Sequence, residues 1–180
     1  MIRPLSRYFA QLCVDSYDEA KIAARGWRDR AADVEVLFDR APWGVTFTWT
    51  GTEGFLDALR DVNAVPWYDP RIGWCHRGFL MGVLAIWPAL QPALDQARQD
   101  KVPVYQAGHS LGGGEASIAA GLMVSVGHIP AGLFTIGAPR PAFGGLRRLL
   151  AAAGVPVRRY VGSGDPVPSV PSSAAETTFS

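Results

Sequence analysis

The sequence predicts a three-layer α/β fold, a mostly parallel sheet with helices on both faces. Three observations carry this. From residue 102 onward, short strand-like runs (102–107, 133–136, 155–161) alternate with helix-length segments (111–126, 143–153). That alternation builds right-handed parallel units. The first of these strands turns at once into a helix through Gly108-His109-Ser110-Leu111-Gly112. Finally, Ser110, the Gly137-Ala138-Pro139-Arg140 loop and Asp165 all follow strand ends, the edge where such sheets bind ligands.

The stretch around Ser110 organises the chain. A strand that breaks directly into a helix strains the residue at the corner. Side chains two before and two after it would collide, so Gly108 and Gly112 are needed there. The corner holds Ser110 above the sheet, at the positive end of the following helix, where an alcohol is an exposed candidate nucleophile. The competing reading is an ordinary glycine-rich βα turn.

At 180 residues, 48% apolar and 18% charged, the chain fits one well-buried domain over residues 1–180. A net charge of +1 gives no field for nucleic acid or an anionic membrane. Cys13 and Cys75 match no metal spacing and read as buried thiols, a disulfide between them remaining open. No metal or cofactor is expected. The N-terminus lacks the features of a secretory signal and no apolar run reads as a membrane span, so the expectation is a cytoplasmic protein.

Taken in order, residues 6–25 read as one amphipathic helix with Phe9, Leu12, Cys13, Tyr17 and Ala20 on one side. Residues 34–38 and 45–49 read as a hairpin turning at 39–44. Glu53 to Val62 reads as a short amphipathic helix with Phe55, Leu56, Leu59 and Val62 on one face, and 66–74 as an aromatic-rich loop. A longer helix over 78–99 should be kinked or broken at Pro88 and Pro92. Gly127 and Pro130 stop the Ser110 helix, and Gly154 stops the helix after it.

Several motifs together resemble the class 3 lipases, the fungal-lipase-like branch of the α/β-hydrolases. They are Gly108-His109-Ser110-Leu111-Gly112-Gly113, Thr135-Ile136-Gly137-Ala138-Pro139-Arg140 and Gly164-Asp165-Pro166-Val167-Pro168. Thr50-Gly51-Thr52 is similar to that family's oxyanion strand end, and His76-Arg77-Gly78-Phe79 to its H-x-G-F helix start. The resemblance spans residues 34–171. It implies an α/β-hydrolase fold, Ser110 as nucleophile, Asp165 as the acid, and Thr52 with the Leu111 N–H as the oxyanion hole. It also places a lid at Phe55, Leu56, Leu59 and Val62, where an ordinary surface helix is the equal alternative. The implied partner is a lipid or other small ester substrate, with transient contact at a lipid surface.

The departures are specific. Thr50 stands where the family has arginine, and Glu115 where it prefers a small residue. Glu115 reads as favourable to the helix dipole and turned away from Ser110. The order Ser, Asp, His requires a histidine after Asp165, and the three histidines, His76, His109 and His128, all precede it. Each of them reads as structural, His109 packing beside the nucleophile and pointing away from it. Three functions therefore stand: an ester hydrolase whose sequence stops before its histidine, a hydrolase-fold binding module without a base, or a thioesterase or acyltransferase on the same fold.

Overall fold

A computed structural model describes residues 2–29, 32–51 and 65–169. Its main sheet has six strands in the order β1-β2-β3-β6-β7-β8. These are β1 (Gly26–Asp29), β2 (Val34–Ala41), β3 (Gly44–Trp49), β6 (Val104–His109), β7 (Gly132–Ile136) and β8 (Val157–Tyr160). The first three pair antiparallel and the last four parallel. A separate hairpin, β4 (Pro66–Asp69) with β5 (Gly73–His76), lies between β3 and the long helix.

Among the described residues β6, β7 and β8 are each preceded by a helix: α3 (Arg77–Gln99), α4 (Leu111–Ser125) and α5 (Gly144–Ala152). Because the strands are added in one direction, the three right-handed crossovers fall on the same face. One core unites Phe79, Leu80 and Leu90 of α3, Ile118 and Met123 of α4, and Leu146 and Leu150 of α5 with Val45, Phe47 and Trp49. α4 is apolar apart from Glu115 and two serines, and is buried along most of its length, as its position at the centre demands. A buried amide joins sheet to helix there: Trp49 Nε1 donates to Gln106 Oε1 at 2.7 Å, and Gln106 Nε2 to Met123 Sδ at 3.1 Å.

The opposite face is covered by α1 (Ile2–Asp15) and α2 (Glu19–Arg25). Phe9, Leu12, Cys13 and Ile22 pack there on Leu37, Ala107 and Phe134, with the Phe9 and Phe134 rings stacked at 3.9 Å. The alternation along β6 fits the pleat, with Val104 in one core and Ala107 in the other.

Four local expectations are corrected. The single helix over 6–25 is two, broken at Ser16 and Tyr17, because Asp18 caps α2 by accepting from the N–H groups of Ala20 and Lys21. Tyr17 and Ala20 are consequently exposed rather than in the apolar stripe. Residues 66–74 form most of a hairpin, whose turn is held by Asp69 accepting from the Arg71 N–H and guanidinium. α3 is not broken at Pro88 or Pro92, both on its exposed side, where water can satisfy carbonyls deprived of a partner. By length and apolar composition α3 could also cross a membrane, but its Leu80, Val83, Ile86 and Leu90 are buried against this fold. Cys13 and Cys75 are both buried and unpaired with each other, their thiols pushed up to about 12 by burial.

Candidate active site

Ser110 joins β6 to α4 with φ 55° and ψ −128°, a backbone conformation that only surrounding constraint sustains. The constraint is visible on both sides. A Cβ on Gly108 would lie 2.3 Å from the Gly112 carbonyl oxygen, and one on Gly112 would lie 2.2 Å from that of Trp49. The Ser110 N–H is tied across to the Ile136 carbonyl at 2.9 Å. Leu111 opens α4, so its N–H has no intrahelical acceptor and stands beside Ser110.

The end of β3 lies flush against this corner. A Cβ on Gly51 would meet Tyr17 Oη at 2.7 Å, the His109 carbonyl oxygen at 2.9 Å and Ser110 Cβ at 3.2 Å. Thr50 anchors the strand end, its hydroxyl donating to the Ser16 carbonyl at 2.9 Å. The break between α1 and α2 therefore fixes both sides of this approach. Thr52, Phe55, Leu56, Leu59 and Val62 lie outside the described residues.

Asp165 comes from the loop after β8. Its Oδ1 accepts the Val167 N–H at 3.0 Å, which turns the other oxygen toward Gly137 at the end of β7. A Cβ on Gly137, whose φ is 57°, would sit 3.1 Å from Asp165 Oδ2 and 4.0 Å from His109 Nε2. The carboxylate and the imidazole thus face a common point at the C-terminal edge of the sheet. Arg159 holds the loops together, donating to the carbonyls of Ala138 at 2.6 Å and Pro168 at 2.9 Å.

The histidines separate clearly. His76 is buried with its ring 5.3 Å from that of Phe143. His128 follows the far end of α4, its N–H on the Met123 carbonyl. His109 is held at Nδ1 by Tyr17 Oη, 2.8 Å away, and burial pushes its pKa down while Asp165 opposes that shift. Among the described residues no histidine hydrogen-bonds to Ser110.

Two residues here are placed differently from what the sequence predicts. Tyr17 leaves the helix face expected of it because Asp18, a residue type that favours the N-cap, opens a second helix just after it. Glu115 lies just past the first turn of α4 and is 4% exposed, its carboxyl against Val34 and Gly82. Burial, then Asp33, raises its pKa well above the usual carboxylate range, so solvation rather than the dipole governs it.

A serine strained above the C-terminal edge of a largely parallel sheet, under helices on both faces, defines an α/β-hydrolase. The family model described as lipase (class 3) matches residues 46–174, and the chain belongs to that family. No curated protein sequence matches it. Among solved structures, a deletion mutant of the Rhizomucor miehei lipase propeptide complex superposes with a TM-score of 0.85 at 24% identity, over 96% of this chain and 63% of that one. Rhizomucor miehei triacylglyceride lipase gives 0.83 at 22% identity, over 97% and 77%. The lipase from Rhizopus microsporus var. chinensis gives 0.84 at 21%, over 96% and 70%. At these identities the likeness establishes the fold.

Proposed function

We propose that this chain carries the nucleophile, the acid and the oxyanion donors of a serine-dependent carboxylic ester hydrolase acting on acyl esters such as acylglycerols. The observation that carries the proposal is Ser110 at its strained corner, with the Asp165 carboxylate turned toward the end of the adjacent parallel strand. In this reading Ser110 Oγ attacks the ester carbonyl, and the Leu111 N–H and Thr52 hydroxyl stabilise the tetrahedral oxyanion. Collapse expels the alcohol and leaves an acyl-enzyme, which water then hydrolyses to the free acid. A histidine after Asp165 in chain order is the base the reading requires. His76, His109 and His128 are not assigned that role.

Structures of similar fold support the reading by their descriptions, one of them a triacylglycerol lipase whose catalytic centre is a serine-protease-like triad. Contact with a lipid surface is its finer part. A structural neighbour described as a model for interfacial activation and the exposed Trp67 and Tyr68 on β4 favour it. A binding module without a base is the second reading, favoured by the lack of a histidine partner for Ser110 among the described residues.

Labelling with a fluorophosphonate and hydrolysis of p-nitrophenyl butyrate test both. A chain extended to include a histidine after Asp165 should hydrolyse the ester, and Ser110→Ala should remove nearly all of that activity. The 180-residue chain should react slowly, keeping at most the roughly 10³–10⁴-fold advantage over water that an incomplete triad retains. Hydrolysis undiminished in Ser110→Ala would sink the nucleophile assignment. Rapid stoichiometric labelling of the 180-residue chain would instead move the base to a histidine already present.

A further inference from the structure

Behind the catalytic edge, on the face that carries α3, α4 and α5, a groove of about 550 Å³ opens between α5 and β8. Its wall is apolar, formed chiefly by Leu133, Leu146, Leu150 and Val157. Three cations line the same space: Arg140, Arg147 and Arg159. We propose that this groove binds a free fatty acid, its carboxylate on the arginines and its acyl tail along the apolar wall.

The volume falls in the range of small-molecule sites, about 300–1,000 Å³. The charge distribution selects the head group. Among the described residues none of the three arginines forms an ion pair. Among the described residues the Arg159 guanidinium is bound by carbonyls alone, of Ala138, Pro139 and Pro168, which satisfy donors without neutralising charge. Burial and then the neighbouring Arg140 both lower its pKa, which places two like charges within electrostatic reach of each other. An anion between them relieves that repulsion, and a carboxylate matches the guanidinium fork in shape. The apolar wall then discriminates against small hydrophilic anions, which leave it wet.

This binding does not depend on the proposed reaction, although that reaction would release such acids nearby. Ser110→Ala should bind them as the parent chain does. The groove also lies apart from the Ser110 corner, with the loop from Gly137 to Arg140 between them.

Isothermal titration calorimetry of the 180-residue chain with monomeric decanoate, decan-1-ol and inorganic phosphate tests the proposal. Decanoate should bind at one saturable site, with decan-1-ol and phosphate each weaker by about tenfold or more, the scale of one charge-assisted contact. The double variant Arg140→Gln with Arg147→Gln should weaken decanoate by a similar factor and leave decan-1-ol unchanged. Leu150→Trp, which fills the groove, should abolish binding of both. Thermal melting provides an independent readout: decanoate should raise the Tm of the parent chain and not that of the arginine variant. Absence of saturable decanoate binding, equal binding of decan-1-ol or phosphate, or unchanged decanoate affinity in the folded arginine variant would each overturn the assignment.

Discussion

Tyr17 Oη lies 2.8 Å from Nδ1 of His109, tying the break between α1 and α2 to the residue preceding the nucleophile. With Tyr17 as donor, the imidazole proton rests on Nε2, the nitrogen that faces Gly137 and Asp165. The pair holds the elbow from the side opposite α4. Tyr17→Phe removes the hydrogen bond to His109 and should lower stability by about 1 kcal/mol. In a cycle with His109→Gln, the double variant should be less destabilised than the sum of the singles, which urea unfolding can read. Strict additivity would mean that the contact carries no energy.

Acid should weaken the fold before the carboxylates titrate. Burial depresses the pKa of both His109 and His128 below their ordinary 6.5, with Arg98 adding to the shift at His128. A histidine with a lowered folded pKa contributes stability that is present above the unfolded value and is lost as pH falls through the folded one. Stability should therefore decline as pH drops below about 6.5. The decline should be shallower in a variant carrying His109→Gln and His128→Gln, measured by urea midpoints across that range.

Glu115 has the opposite sign. It is neutral in the fold over a range where the unfolded chain ionises it, so its contribution is full below the ordinary 4.5 and is lost as pH rises toward its raised value. Glu115→Gln keeps the shape and removes the ionisation. It should raise the denaturation midpoint at pH 8 and leave that at pH 4 nearly unchanged. An equal effect at both values would show that the carboxyl is not held neutral.

The elbow glycines should tolerate nothing larger. Gly112→Ala sets a methyl group 2.2 Å from a backbone oxygen that cannot swing aside, and should cost more than about 3 kcal/mol, the upper end of ordinary overpacking. Gly162→Ala, where the nearest atom would be 3.7 Å away, should change stability by no more than about 0.5 kcal/mol. Comparable melting temperatures for the two variants would refute the close approach.

The parallel half of the sheet was legible because β6 and β7 are strand-length runs rich in apolar residues, each followed by a helix-length segment that ends at a glycine. Ser110 was legible because the strand, the corner and the helix are contiguous in sequence. The β1 strand was not, since Gly26-Trp27-Arg28-Asp29 is short, polar and lies at the sheet edge. The break at Tyr17 was hidden by an apolar stripe that runs up to it from Phe9. Glu115 shows another limit: helical phase turned it from Ser110, but only the packed position of Val34 and Gly82 reveals where it turns to. The meeting of Asp165 and His109 at Gly137 depends on strand order, which no local pattern encodes.

Among the described residues β8 is one of two border strands of the sheet, and it bears on how the 180-residue chain behaves in company. All four of its residues are exposed, and its outer backbone groups have no neighbouring strand among the described residues. Such a border is a template on which another extended chain can crystallise into fibrils. Arg158 and Arg159 oppose that by charge, since two copies meeting there bring guanidinium groups together. Colloidal stability should consequently fall as salt rises, with light scattering growing first in concentrated, high-salt solutions and an intermolecular sheet band accompanying it in the infrared.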